Sequence, residues 1–195
     1  MLNAMRSRGF TLIELVVTMA VAAILIVLGI PKFSAWIHDE EIRTTAEAMQ
    51  NALRLSKEEA LSRNRQVVFA LTNAPPALNA PSAANGVNWY AQIIPINADE
   101  AASAAFTQSA FLQGGQFGNQ ANGTTITGPA AICFNSLGRL VANAAYGCGA
   151  PGNVTIYVVN NANGDRPLHV TVNLGGQVRM CDPAFTLSST TPQGC

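Results

Sequence analysis

From Phe10 to Ile30 the chain is apolar apart from Thr11, Thr18 and a single carboxylate, Glu14. As a helix these 21 residues would span ~31 Å, about one bilayer core. A short leader precedes the run and ends at Gly9; it carries Arg6 and Arg8 and no acid. Such a basic flank is expected to stay in the cytoplasm. A secretory signal would have an apolar region of about 7–15 residues closed by a small-residue cleavage site. This run is longer and continues through Leu25-Ile26-Val27-Leu28 without such a site. A plain signal anchor accounts for the length but not for the acid, because a carboxylate in lipid costs about 2.5–3.5 kcal/mol. Met1 and Met5 are both admissible starts, the second giving the leader Met5-Arg6-Ser7-Arg8-Gly9.

The rest of the 195 residues suffices for one globular domain. Charged residues make up only 11% and aromatics 7%. Ala, Asn, Gly, Ser and Thr fill much of the remainder, which fits an extracytoplasmic β-rich domain with polar loops better than a cytosolic enzyme. Basic and acidic residues balance at 11 each, and without Arg6 and Arg8 nine face eleven. A chain of that balance has no global attraction to nucleic acid. The four cysteines, Cys133, Cys148, Cys181 and Cys195, form no C-x-x-C pair, and there are two histidines. That argues against zinc, and no other metal or cofactor is expected. An even count beyond a membrane segment reads as disulfides in an oxidising compartment. Of three connectivities, Cys133–Cys148 with Cys181–Cys195 is favoured, because each closes a local loop of roughly 15 residues worth about 3 kcal/mol.

The stretch Gly9-Phe10-Thr11-Leu12-Ile13-Glu14-Leu15 resembles the processing motif of type IV pilins and type II secretion pseudopilins. The resemblance implies cleavage after Gly9 by the prepilin peptidase and N-methylation of Phe10. It also implies that Glu14, fifth in the mature chain, pairs with the amine of a neighbouring subunit during assembly. The physics agrees, since an acid in lipid is relieved by a cation. Pro31 stands where pilins usually carry a proline. The stretch Leu53–Val68, with Arg63-Asn64 and Val67, is similar to the helix end and first strand of minor (pseudo)pilins grouped as GspH/FimT.

Along the chain, Ile42, Ala46, Met49, Leu53, Ser56 and Ala60 step by four and three and share one helical face. One helix is expected from Thr11 to about Asn64. Asp39/Arg43 and Glu59/Arg63 are expected i,i+4 pairs, and Asp39-Glu40-Glu41 is expected on the solvated face. Strands are expected at 66–71 and 88–94, with Trp89 and Tyr90 in the core. A Pro-rich loop should fill 73–86, and a long polar loop 97–123. Gly114-Gly115 lacks the Lys-Ser/Thr of a phosphate loop. The last third reads as a β-meander with strands at 131–134, 139–141, 153–159, 167–174 and 177–180.

No catalytic set emerges; His38 and His169 have no clustered nucleophile or acid in sequence. Some FimT-type proteins take up DNA through a Gly-Arg-x-Arg motif. The matching place here is Gly176-Gln177-Val178-Arg179, where Gln177 cannot supply the phosphate-pairing charge. Arg139 and Arg179 are the candidate nucleic-acid contacts of this second reading.

The expected fold is therefore α+β, a long N-terminal helix packed on an antiparallel sheet, pilin-like. Residues 1–9 are expected as leader, 10–36 as transmembrane and filament-core helix, and 37–195 as a periplasmic or extracellular head. The expected function is structural: a minor pilin or pseudopilin of a type IV pilus or type II secretion pseudopilus. Its partners would be other pilins, the peptidase and the inner membrane, with no small-molecule substrate.

Overall fold

The computed structural model describes residues 11–117 and 123–195; within the first helix the side chains of residues 27–32 fall outside that description. Helix α1 spans Leu12–Arg63 and runs through Pro31 without interruption. Thr11 is its N-cap, and its hydroxyl accepts the backbone N–H of Glu14 at 3.3 Å, the first half of a capping box. Asn64 ends the helix in the left-handed conformation (φ 51°). Arg65 N–H then reaches back to the Ala60 carbonyl at 3.1 Å, as in a Schellman cap, where Asn is tolerated.

The stripe Ile42, Ala46, Met49, Leu53, Ser56 and Ala60 is fully buried. It lies across two antiparallel sheets. The first sheet has the order β3-β2-β1-β5-β6, built from β1 (Val67–Thr72), β2 (Asn88–Ile93), β3 (Phe111–Gln116), β5 (Ala131–Phe134) and β6 (Leu140–Val141). The second has the order β4-β7-β8-β9, from β4 (Thr124–Thr127), β7 (Val154–Asn161), β8 (Leu168–Asn173) and β9 (Val178–Cys181).

Strand β1 is buried at every position, which explains its unbroken apolar sequence. Val67, Phe69 and Leu71 face the helix and the second sheet, while Val68 and Ala70 face a smaller core with Tyr90, Ala131, Cys133 and Cys148. The loop 73–86 covers that second face. Tyr90 Oη donates to the Ala80 carbonyl at 2.6 Å, and Gln92 exchanges two 2.7 Å hydrogen bonds with Asn79. Trp89 and Tyr90 are core residues, as expected. Trp89 stacks between Phe69 and Phe117, and Phe69 meets Tyr157 of β7 edge-on at 6.0 Å.

Three expectations are corrected. The polar segment 97–123 holds two short helices, α2 (Ala98–Ala102) and α3 (Ala104–Ser109), and then strand β3. Asn97 caps α2 by accepting Glu100 N–H at 2.8 Å, and Ser103 caps α3 by accepting Phe106 N–H at 3.1 Å. Gly114 and Gly115 sit in β3 where side chains would strike Pro76 and crowd the Trp89 indole. Second, the last third is no single meander. β5 and β6 join the first sheet because Ala131 and Cys133 belong to the core beneath it. Third, Arg43 pairs with Glu47 at 3.1 Å rather than with Asp39, because Asp39 is engaged elsewhere. The Glu59–Arg63 pair forms as expected.

Candidate assembly interface

The helix before the head is bare. Leu12 to Ile26 are exposed throughout, an apolar surface without a partner in the isolated chain. Glu14 stands exposed in its first turn, at the positive end of the helix dipole. Gly9 and Phe10 lie outside the described residues, as does the side chain of Pro31. Among the described residues no helix is long and apolar enough to cross a membrane; the 10–30 run falls partly outside them.

At the point where α1 reaches the head, side chains tie it to the second sheet. Asp39 Oδ1 accepts the N–H groups of Asp165 (2.9 Å) and Arg166 (3.2 Å) in the β7–β8 turn. His38 Nδ1 lies 3.5 Å from both Glu41 Oε2 and Asn161 Nδ2. Asn161, itself buried, donates to Thr124 Oγ1 at 3.1 Å. Gly164 closes over Ile42, where a Cβ would come within 2.8 Å of Cδ1. Of the acidic run expected on the solvated face, Asp39 is thus tied to the second sheet, Glu41 is half-buried beside His38, and Glu40 is exposed.

Beside this neck lies an open groove of about 380 Å³ with an apolar floor of Trp36, Leu168 and Met180 and charged walls that include Glu40, Arg43 and Asp182. Trp36 is 57% exposed, and its ring centroid lies 5.8 Å from that of Phe33, itself 62% exposed. Asp182 is held by Arg166 at 2.8 Å.

The C-terminal tail forms the groove's outer edge through Gln193. Two disulfides are present, Cys133–Cys148 and Cys181–Cys195, the favoured pairing. The first is buried under the first sheet; the second pins the tail to β9, where Arg179 donates to the Pro192 and Gly194 carbonyls. The Arg179 guanidinium is therefore occupied by the tail. Arg139 is exposed in the β5–β6 turn. His169 Nδ1 sits 3.8 Å from Cys195 Sγ. No group of His, Cys, Asp and Glu among the described residues is arranged to hold a metal.

One contact had no sequence signal. Arg65, just past the helix, makes a two-pronged pair with Glu100 of α2 (2.9 and 2.8 Å) and donates to the Ile94 carbonyl at 3.0 Å. Its guanidinium lies 5.9 Å from the Phe106 ring. The Arg65 hydrogen bonds, together with the Ile96 N–H, hold the Glu100 carboxyl below its ordinary range.

The family described as Type II transport protein GspH matches residues 45–176, and the prokaryotic N-terminal methylation motif matches residues 4–30. Among solved structures, the chain is similar to the type IV minor pilin FimU of Pseudomonas aeruginosa PAO1 in two crystal forms. One shows 18% identity over 78% of this chain and 98% of that one, with TM-score 0.43. The other shows 19% identity over 82% and 98%, with TM-score 0.46. The minor pseudopilin EpsH from the Type 2 Secretion System of Vibrio cholerae is 11% identical over 74% of this chain and 99% of that one, with TM-score 0.45. No curated protein matches.

Proposed function

The chain belongs to the GspH family of minor pilins and pseudopilins, and on that premise we propose that it is a structural subunit placed within or at the tip of a type IV pilus or type II secretion pseudopilus. The prepilin peptidase cuts after Gly9 and methylates Phe10. Residues 10–36 anchor the chain in the inner membrane with the head, 37–195, in the periplasm, and then enter the filament core. There Glu14 meets the Phe10 amine of a neighbour.

The observation that carries this reading is the single unbroken helix, buried along one stripe of its second half against the head and exposed and apolar over residues 12–26. A soluble domain rarely displays so large an apolar surface unless another chain or lipid covers it. Within that surface the one acid is Glu14, whose desolvation is relieved when a neighbour's amine arrives.

The intact mass of the mature protein tests the processing step: loss of residues 1–9 plus one methyl group supports it, and a retained leader refutes it. Gly9→Val is expected to keep the leader. Glu14→Ala is expected to be cut normally yet to enter filaments poorly; wild-type incorporation in a pull-down would remove the pairing role.

A further inference from the structure

The Trp36 groove lies just past the apolar run of α1. Trp36 is six residues beyond Ile30, or ~9 Å along a helix. The interfacial zone of a bilayer is about 5–8 Å deep on each side of the hydrocarbon core. With residues 10–30 across that core, the exposed Phe33–Trp36 pair stands at the headgroup level, where tryptophan is enriched. Side chains on a helix lean toward its N-terminus. Glu40 and Arg43, one and two turns past Trp36 on the same face, therefore reach back toward that level. All three line the groove.

Both signs of charge remain available there. Glu40 is exposed, and no hydrogen bond or ion pair reaches it among the described residues. Arg43 uses Nε on Glu47 at 3.1 Å, and Arg166 uses Nη2 on Asp182 at 2.8 Å. A guanidinium has five N–H donors, and both side chains are exposed, so each keeps donors for a further acceptor. Along the groove the acids Asp39, Glu40 and Asp182 outnumber Arg43 and Arg166, which disfavours a purely anionic group. The floor of Trp36, Leu168 and Met180 suits apolar atoms. A ligand that fits carries a cation and an anion a few bonds apart, with its apolar end toward the membrane.

We propose that this groove holds the headgroup of a zwitterionic aminophospholipid, with the ammonium on Glu40, the phosphate on Arg43 and Arg166, and the glycerol end over Trp36. The proposal rests on the reading of residues 10–36 as a membrane anchor and adds a ligand to it. A phosphoglycerol headgroup brings the anion without the cation and leaves Glu40 facing negative charge. A choline headgroup brings its cation as a trimethylammonium, which has no N–H to donate to Glu40. A primary ammonium has three donors and meets both requirements. A lipid bound there ties the head to the membrane surface before the subunit is assembled.

In the test, the full-length chain in detergent micelles receives equal amounts of phosphatidylethanolamine, phosphatidylcholine and phosphatidylglycerol with the same acyl chains. Bound lipid is counted by native mass spectrometry. The expected result is a phosphatidylethanolamine adduct about threefold above either competitor, the scale of one exposed ion pair. Glu40→Lys is expected to remove that preference. Glu58→Lys, the same charge change 18 residues further along α1, is expected to keep it. The two native disulfides, counted by mass, verify that each variant is folded. Equal adducts of all three lipids, or a preference that survives Glu40→Lys, leave the groove to a protein partner and overturn the proposal. The anchor is read separately, in vesicles whose acyl chains carry bromine at mid-chain. In Val17→Trp/Trp36→Phe the other tryptophan, Trp89, is buried in the head, so quenching reports residue 17 inside the bilayer. Quenching without a headgroup preference keeps the anchor and rejects the headgroup site. No quenching rejects the anchor itself, and the lipid site falls with it whatever the micelles show.

Discussion

Asp39 on α1 accepts the backbone N–H of Asp165 at 2.9 Å, across 126 residues of sequence. With the second bond from Arg166, one carboxylate from the helix caps the β7–β8 turn and fixes where the exposed apolar part of α1 meets the head. Hydrogen bonds to a charged acceptor contribute about 1.5–3 kcal/mol, and this site is half-buried. Asp39→Ala is expected to cost about 1–2 kcal/mol, read as an earlier urea midpoint for the detergent-solubilised chain. Hydrogen exchange should rise first at 162–166. An unchanged midpoint and unchanged exchange there would show that the turn holds itself.

Tyr157 is fully buried between the sheets, and its hydroxyl has no hydrogen-bond partner among the described residues. Burial pushes its pKa far above the ordinary value. An unsatisfied buried hydroxyl costs about 1–3 kcal/mol, while the ring retains its edge-on contact with Phe69. Tyr157→Phe is therefore expected to leave stability unchanged or raise it by about 1 kcal/mol. A loss above that size in thermal unfolding would reveal that the hydroxyl is satisfied.

Glu100 titrates below its ordinary value of 4.5, chiefly because Arg65 hydrogen-bonds its carboxylate and secondly because of the Ile96 N–H. A depressed folded-state pKa gives stability that is complete above the unfolded value and is lost as pH falls through the folded one. Glu100→Gln should thus melt earlier than wild type at neutral pH, with the gap closing below pH 4.5. A gap that persists unchanged into acid would assign the effect to packing of α2.

The buried stripe from Ile42 to Ala60 and the strands around Phe69, Trp89 and Val170 were legible in sequence because their apolar periods match helix and sheet. The helix end at Asn64 was legible to a residue. The segment 97–123 was not, since its helices are one or two turns long and held by caps and by Arg65 rather than by an apolar face. Asn97-x-x-Glu100 was the available signal. The division into two sheets was invisible, because it depends on which core Cys133 and Tyr157 enter. Gly9, Phe10 and Glu14 were legible as a motif without any packing at all, whereas the Trp36 groove needed three distant segments brought together.

The two disulfides should differ in how readily they open. Cys133 and Cys148 are nearly inaccessible beneath the first sheet, whereas Cys195 is exposed at the chain end. Thiol–disulfide exchange requires access for the attacking thiolate. Under limiting reductant, alkylation and peptide mass mapping are expected to label Cys181 and Cys195 before Cys133 and Cys148. Each loop is worth about 3 kcal/mol in the chain-entropy model, so entropy alone would not separate them in stability. The tail, however, retains the Arg179 bonds to Pro192 and Gly194 after its bridge opens, whereas the buried bridge leaves two thiols inside a core. Cys181→Ser/Cys195→Ser should therefore destabilise less than Cys133→Ser/Cys148→Ser. Adding Arg179→Ala to the first pair should release the tail, seen as fast exchange over 185–195. Equal labelling of all four cysteines at the earliest time would show that the head opens globally before either bridge is reached.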